Sequence, residues 1–463
     1  VLLGVLAAAT GAVLALDVTG VIAGPLGSAL SQDEFADTSA APEQVPAARP
    51  VPVLAPLGTV VAPPPSPDAV ARALAPLLRS PALGDDVAVS VIDVATGTPL
   101  LDRRADAAAV PASTTKLVTA AAALRTLGVD TRLATRVVDA GDSATIVLVG
   151  GGDPTLRGRA TRGTPEGPTL AALAERTAEK LAEAGRSQVR LAIDDSLFAP
   201  PTEASSWEDD YVSNGVVSPV TALSVDGGRV EPGSRTRSPD PSAAAGRAFA
   251  ALLRDEGIRV TGSITRTRAP ETAPALAQVL SPPVGRIVDR MLLTSDNDVA
   301  EALGHLVGAK ATGAGTFDGG ARASLAVLGE LGVPVAGVRL LDASGLSRSN
   351  LIPPSTLTAL LRTSASAEQP DLRGVLTGMP VARLSGSLDE RFDGPATSTA
   401  AGEVRGKTGT LTGVSSLSGV VVDREGRQLA YAVLADDVPE GGNPQAEVAI
   451  DRLVARLAAC GCA

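Results

Sequence analysis

Lysine is scarce in this chain: among 463 residues only Lys116, Lys180, Lys310 and Lys407 carry it, and arginine supplies nearly all the positive charge. A lysine kept under that bias is a candidate for chemistry that arginine cannot do, which is to lose its proton near neutral pH. Lys116 follows Ser113 by three positions in PASTTKLVTAAAAL, residues 111–124. On a helix starting near Pro111 the two side chains share one face. The helix N-terminus adds partial positive charge and free N–H groups beside the serine. A neutral lysine there can take the serine proton, so Ser113 is the candidate nucleophile and Lys116 its base, with no histidine needed. Alone, this spacing is also what a capping serine followed by a surface lysine produces.

Two further stretches give the pair its meaning. Ser-Asp-Asn at 295–297 precedes the helical DVAEALGHLVG, and Lys-Thr-Gly-Thr at 407–410 lies on a strand candidate. Each is common by itself, as a helix cap and as a strand running into a turn. The ordered set S-x-x-K, S-D-N, K-T-G is the one shared by penicillin-binding proteins and class A β-lactamases. The chain resembles the class C low-molecular-mass penicillin-binding proteins, the D-alanyl-D-alanine carboxypeptidase/endopeptidase family. That resemblance runs over residues 85–459 through PASTTK, GGGDPTL, LTSDNDVAEAL, DASGLSRSNLIPP, SGSLDERF and GKTGTL, with a long insert between the first two motifs.

The resemblance implies roles at the matching positions. Ser113 would attack the carbonyl between two D-alanines to give an acyl-enzyme, with Lys116 as base. Ser295 would relay a proton to the leaving amine, and Asn297 would hold Lys116 and the substrate amide. Lys407 would supply positive potential beside Ser295, while Thr408 and Thr410, flanking Gly409, would bind the terminal carboxylate. Backbone N–H groups of Ser113 and Thr410 would form the oxyanion hole. The partners so implied are peptidoglycan peptides and β-lactams. Arg348, in SGLSR, reads either as a binder of a stem-peptide carboxylate or as a structural salt bridge. Trp207, the sole tryptophan, reads as a cleft residue or a core anchor, and His305 as a packed histidine. A class A β-lactamase would need a carboxylate to activate the deacylating water, and no E-x-x-x-N-type loop is found to supply it.

The elements that must position these residues are legible in outline. DVAVSVIDVATGTPLLDRRADAAA alternates apolar and polar residues around ATGT, and VSSLSGVVVDREGRQLAYAVLADD does so around DREGR, both hairpin signals. NPQAEVAIDRLVARLAACG has helical spacing. Helices are expected at 113–127, 284–310 and 355–362. Terminal strands that each lack partners can share one antiparallel sheet covered by helices. The fold class is therefore α/β in the α+β sense. It combines a penicillin-binding/serine β-lactamase-like domain, for which the resemblance implies a five-stranded antiparallel sheet flanked by helices, with an inserted α/β domain. The catalytic domain is expected at 68–139 and 276–463, and the insert at 140–275. GGGDPTL reads as a tight structural turn, since it lacks the lysine of a phosphate loop.

Residues 1–40 begin with an uncharged apolar run and read as a signal peptide or membrane anchor, and 41–67 as a proline-rich linker. The protein is expected outside the cytoplasm, at the cell envelope. A net charge of −11 and 2% aromatic residues exclude the basic footprint and stacking platforms of a nucleic-acid binder. One histidine and two terminal cysteines, Cys460 and Cys462, do not make a typical zinc site, and no metal or other cofactor is expected.

Overall fold

The structure, a computed structural model, describes residues 63–141, 144–160, 167–270 and 272–462. The signal or anchor expected at 1–40 and the linker up to residue 62 lie outside these residues.

Two five-stranded sheets organise the described residues. In the first, β1 (Ala88–Asp93) and β2 (Pro99–Arg103) from the N-terminal part join β8 (Val404–Leu411), β9 (Val414–Val422) and β10 (Gln428–Ala435) in the order β2-β1-β10-β9-β8. All its pairings are antiparallel. Alternation along each strand splits the side chains between two cores. Val89, Val91, Leu417, Val421, Leu429, Tyr431 and Val433 pack on one face with α1 (Pro67–Leu74) and α10 (Asn443–Ala458). Ala88, Val420, Ala430, Ala432 and Leu434 pack on the other, against the helical layer of α2 (Lys116–Leu127), α5 (Val284–Thr294), α6 (Asn297–Thr312), α7 (Phe317–Glu330), α8 (Pro354–Ala365) and α9 (Arg373–Thr377).

The second sheet, in the order β6-β5-β4-β3-β7, is mixed. Its members are β3 (Ala134–Asp139), β4 (Thr145–Val149), β5 (Gln188–Asp194), β6 (Arg259–Arg266) and β7 (Ala275–Leu280). The β4–β5 and β5–β6 pairs are parallel, joined through α3 (Leu170–Glu183) and α4 (Pro241–Asp255), as parallel neighbours require a crossover. Val137, Ile146, Leu148, Leu191 and Ile193 pack with Leu170, Leu173, Phe249 and Leu253 into a core of their own. The strand ends in the turn at 150–152, where a Cβ on Gly151 would lie 2.1 Å from the Ala134 carbonyl oxygen and one on Gly150 2.4 Å from that of Ala222. Glycine serves there for close backbone approach.

The continuous helix expected at 284–310 is broken. Ser295 takes a left-handed conformation, φ 57° and ψ 32°, after α5, and Asp296 caps α6 by accepting the Val299 N–H. The break turns the Ser295 side chain out of the helical stack and toward β8. Cys460 and Cys462 form a disulfide in the structure. Among the described residues no helix is long and apolar enough to cross a membrane.

Candidate active site

Four separate parts of the chain meet between β8 and the helical layer. The first is the turn into α2. Residues Ala112–Thr115 form one tight 3-10 turn ahead of the helix. Ala112 is held at φ 47°, a region an alanine adopts only under constraint. The constraint is visible: the Pro111 carbonyl accepts from Thr114 Oγ1 (2.7 Å) and Ser416 Oγ (2.8 Å), tying the turn to β9. Ser113 is thereby placed at the head of the helix, half-buried, with Lys116 one turn on.

Lys116 is fully buried, and its Nζ reaches three acceptors: Asn297 Oδ1 at 2.7 Å, the Ser344 carbonyl at 2.7 Å and Ser113 Oγ at 3.0 Å. Asn297 is itself fixed, donating Nδ2–H to the Val216 carbonyl at 3.0 Å. Two short bonds to anchored oxygens would hold both protons of a neutral amine, which leaves its lone pair aimed at the serine hydroxyl. Burial pulls the Lys116 pKa down to about 8, although Glu301, Asp342, Asp296 and Asp298 each favour its charged form. The neutral amine is therefore accessible near physiological pH.

The second lysine, Lys407, is equally buried and donates to Ser295 Oγ and to the Thr408 carbonyl, both at 2.8 Å. Burial, with the neighbouring Lys116 ammonium adding to it, pushes its pKa well below the usual lysine range. Two ammonium groups in one dry cleft disfavour each other.

β8 forms the edge of its sheet beside these lysines. Its first half is covered: Ala382 N–H donates to the Val404 carbonyl and Gly406 N–H to that of Pro380. Backbone groups on a regular strand alternate in direction, so those of Thr408 and Thr410 face the same outer edge. The backbone groups of Gly409 face β9, and its Cα lies against the nucleophile's turn. A Cβ there would stand 2.3 Å from Ser416 Oγ, 2.8 Å from the Pro111 carbonyl oxygen and 3.0 Å from the Ser113 nitrogen. Thr408 Oγ1 pairs with Ser387 Oγ at 2.8 Å, and Thr410 Oγ1 donates to Glu447 Oε1 at 2.9 Å.

Arg348 is exposed and donates to the Thr412 carbonyl at 2.7 Å, just beyond β8. It forms no ion pair among the described residues, so it stands at the cleft end of the strand rather than in a structural salt bridge. Trp207 is a core anchor: its Nε1–H donates to Asp342 Oδ2 at 2.9 Å, and its ring meets Phe317 edge-on at 5.3 Å. His305 lies buried in α6 with Nδ1 on the Glu301 carbonyl and its pKa lowered to about 4 by burial, far from the reacting groups' needs. Sequence reasoning missed the buried acids Glu301 and Asp342, and the Ser344 carbonyl that touches Lys116. The one signal available was an acidic residue four positions after Asn297, on the same helix face.

The sequence profile of the D-Ala-D-Ala carboxypeptidase 3 (S13) family matches residues 70–236 and 232–457. The chain belongs to this carboxypeptidase family. It is 38% identical over 404 residues to a carboxypeptidase of Mycobacterium tuberculosis, covering 86% of this chain and 85% of that one. A D-alanyl-D-alanine carboxypeptidase of an Actinomadura species is 31% identical, covering 82% of this chain and 83% of its own length. Among solved structures, the crystal structure of penicillin-binding protein 4 from Haemophilus influenzae superposes with a TM-score of 0.70 at 21% identity, over 83% of this chain and 98% of that one. The fold is thus that of a penicillin-binding carboxypeptidase. The three motifs meet between β8 and the helical layer, Lys116 joining Ser113 to Asn297 and Lys407 reaching Ser295.

Proposed function

We propose that the chain removes the terminal D-alanine of peptidoglycan stem peptides through an acyl-enzyme on Ser113. One observation carries the assignment: the buried Lys116 amine spans Ser113 Oγ and Asn297 Oδ1, with its pKa lowered to about 8. Lys116 takes the Ser113 proton as Oγ attacks the carbonyl carbon. The tetrahedral oxygen receives the N–H groups of Ser113 and Thr410, of a kind commonly worth about 3–4 kcal/mol each. As the C–N bond breaks, Ser295 hands its proton to the leaving amine and recovers the one that Lys116 took from Ser113, with Lys407 holding positive charge beside it. Water then cleaves the ester.

The terminal carboxylate is read by Thr408 and Thr410 beside Lys407. Its negative charge would favour the protonated form of Lys407, which burial disfavours, and the Thr410 hydroxyl would turn from Glu447 to meet it. Arg348, exposed at the end of β8, is placed to receive a carboxylate of the stem peptide's side chain. β-Lactams mimic the D-alanyl-D-alanine end and would acylate the same serine. The insert expected at 140–275 is read instead as 134–280, because β3 and β7 pair in the second sheet, while Phe198, Trp207 and Val217 within it pack in the core of the helical layer; the rest of the described chain is read as the catalytic domain. Substrate of this kind lies outside the cytoplasm, so the protein would act at the cell envelope, with residues 1–40 serving as export signal or anchor.

Incubation of peptidoglycan pentapeptides with the protein should release free alanine by mass spectrometry, and fluorescent penicillin should label it covalently. Ser113→Ala should abolish both while circular dichroism stays unchanged. Labelling that survives in Ser113→Ala would refute the nucleophile.

A further inference from the structure

Lys116 has three partners, and two of them, Ser113 and Asn297, belong to the motifs. The third, the Ser344 carbonyl, sits in a loop outside all three motifs, so something must hold that loop in place. Glu301 does this from α6, one helical turn after Asn297 and on the same face. Glu301 is 1% exposed; its Oε1 accepts the Ser344 N–H at 2.8 Å and the Ala343 N–H at 3.2 Å, and Oε2 the Ala343 N–H at 3.3 Å. Thr119 Oγ1, from the helix of Lys116 itself, donates to the Ala343 carbonyl at 2.6 Å. The loop is thus clamped on both of its sides, and the Ser344 oxygen is presented to the amine.

No cation pairs with Glu301 among the described residues, although a carboxylate is costly to bury unpaired. The charged groups around it are few. Asp342, on the loop, accepts from Trp207 Nε1, Gly345 N, Ser347 N and Asn350 Nδ2, so both its oxygens already have donors. From α6 come Asp296 and Asp298 at its N-terminus and His305, whose Nε2 has no partner. From α7, Phe317, Gly320, Ala321 and Ser324 face the small cavity beside Glu301, and none of them titrates. From α2 comes Lys116, the cation nearest in the network, with Lys407 beyond it.

We propose that Glu301 is a positioning residue for the reaction: it holds the Ser344 carbonyl against Lys116 and, as a buried counter-charge, sets the pH at which that amine becomes free to act. This rests on Lys116 being the base. Burial and the neighbouring Asp342 raise the Glu301 pKa to about 8, against the Ser344 side chain and the Ser344 and Ala343 N–H groups, which favour the anion; its oxygens meet only donors in the structure, and donors fit the charged form. Its negative charge stabilises the Lys116 ammonium. Removing the charge but keeping an acceptor should therefore let Lys116 lose its proton at lower pH.

The test is the acylation rate with fluorescent penicillin from pH 5 to 9, in the full chain, for wild type and two variants. In Glu301→Gln the amide oxygen still accepts from Ser344 and the charge is gone. The acid limb should move down by roughly one pH unit, within the range of a nearby opposite charge. In Glu301→Asp the charge stays but the reach is a methylene shorter. The limb should keep its midpoint while the plateau falls roughly 10–100-fold, as expected for an ångström-scale misplacement. A merely structural glutamate would lower both plateaus and leave both midpoints alone, and that result overturns the proposal, as does a wild-type profile in both variants. Lys116→Arg is run alongside. If it acylates normally the base reading itself has failed; if it is inactive and Glu301→Gln is unshifted, only the role of Glu301 has failed. Should Glu301→Gln not fold, Glu301→Ala takes its place, since it too removes the charge: a midpoint that moves to lower pH supports the proposal, and one left at the wild-type pH overturns it.

Discussion

Replacing Lys116 by arginine keeps the positive charge and removes only the ability to shed it. With a pKa of about 8, roughly half of the wild-type amines are neutral at pH 8, about a tenth at pH 7 and about a hundredth at pH 6. The acylation rate should therefore fall tenfold per pH unit on the acid side. A guanidinium, with a pKa above about 12, has a neutral fraction below ~10⁻⁴ at pH 8. Lys116→Arg should lose about 10²–10⁴ of the acylation rate, the usual contribution of a positioned acid–base group, and with it the tenfold-per-unit limb.

Bulk alone could slow the variant, because the amine sits with no exposed surface between oxygens 2.7 Å away on two sides. Lys407→Arg is the control for that. Lys407 is as buried and as tightly bonded, so the packing penalty is comparable, yet its proposed duty is to carry charge. It should lose less rate and keep the acid limb. The assay is stopped-flow acylation by a fluorescent penicillin across pH 5–9, after circular dichroism shows each variant folded. An acid limb surviving in Lys116→Arg, or near-normal rate at pH 7, would refute the assignment of Lys116 as base.

Two other substitutions probe the frame around the site. Gly409→Ala should cut acylation at least as strongly as loss of one oxyanion donor, about 10²-fold, because its methyl would press on Ser416 Oγ, the Pro111 carbonyl and the Ser113 nitrogen; labelling at the wild-type rate would contradict that close approach. Asp153 is buried with Oδ2 unpartnered, and burial raises its pKa to about 6. Its folded form binds the proton more tightly than the unfolded chain, so the stability this gives is full below about pH 4 and lost as pH rises through 6. Asp153→Asn keeps the Oδ1 acceptor for Thr155 and should raise the melting temperature at pH 7.5, by up to about 3 kcal/mol of stability, with the gain vanishing near pH 4. An equal gain at both pH values would show that ionisation is not the cause.

The parts of the fold that could be read from sequence are those with a period. The hairpins of β1–β2 and β9–β10 alternate because one sheet separates two cores, and α10 shows helical spacing because one of its faces is wet. The parts that could not be read have none. In α6, residues 299–308 are buried without interruption, so Glu301 looks in sequence like one more acid on a polar face. β7 is mostly exposed or half-buried, and nothing in ALAQVL assigns it to the second sheet rather than the first. The break at Ser295 carries no glycine to mark it, since the residue is needed for its hydroxyl and accepts the left-handed backbone that aims it at Lys407.

The two lysines show the same limit in their chemistry. Their motif positions were legible, but the difference between a charged and a neutral amine is set by burial and by neighbours distant in the chain. Lys116 has four carboxylates that resist its deprotonation, and Lys407 has no such support among the causes that shift it, only the repulsion of Lys116. The cleft thus favours a proton on Lys116 over one on Lys407 until a carboxylate reaches Thr408 and Thr410. A substrate with a terminal carboxylate would reverse the order: it stabilises the Lys407 ammonium, and that charge in turn repels the proton on Lys116. The end of the peptide that identifies the substrate would in this way help to free the base that attacks it.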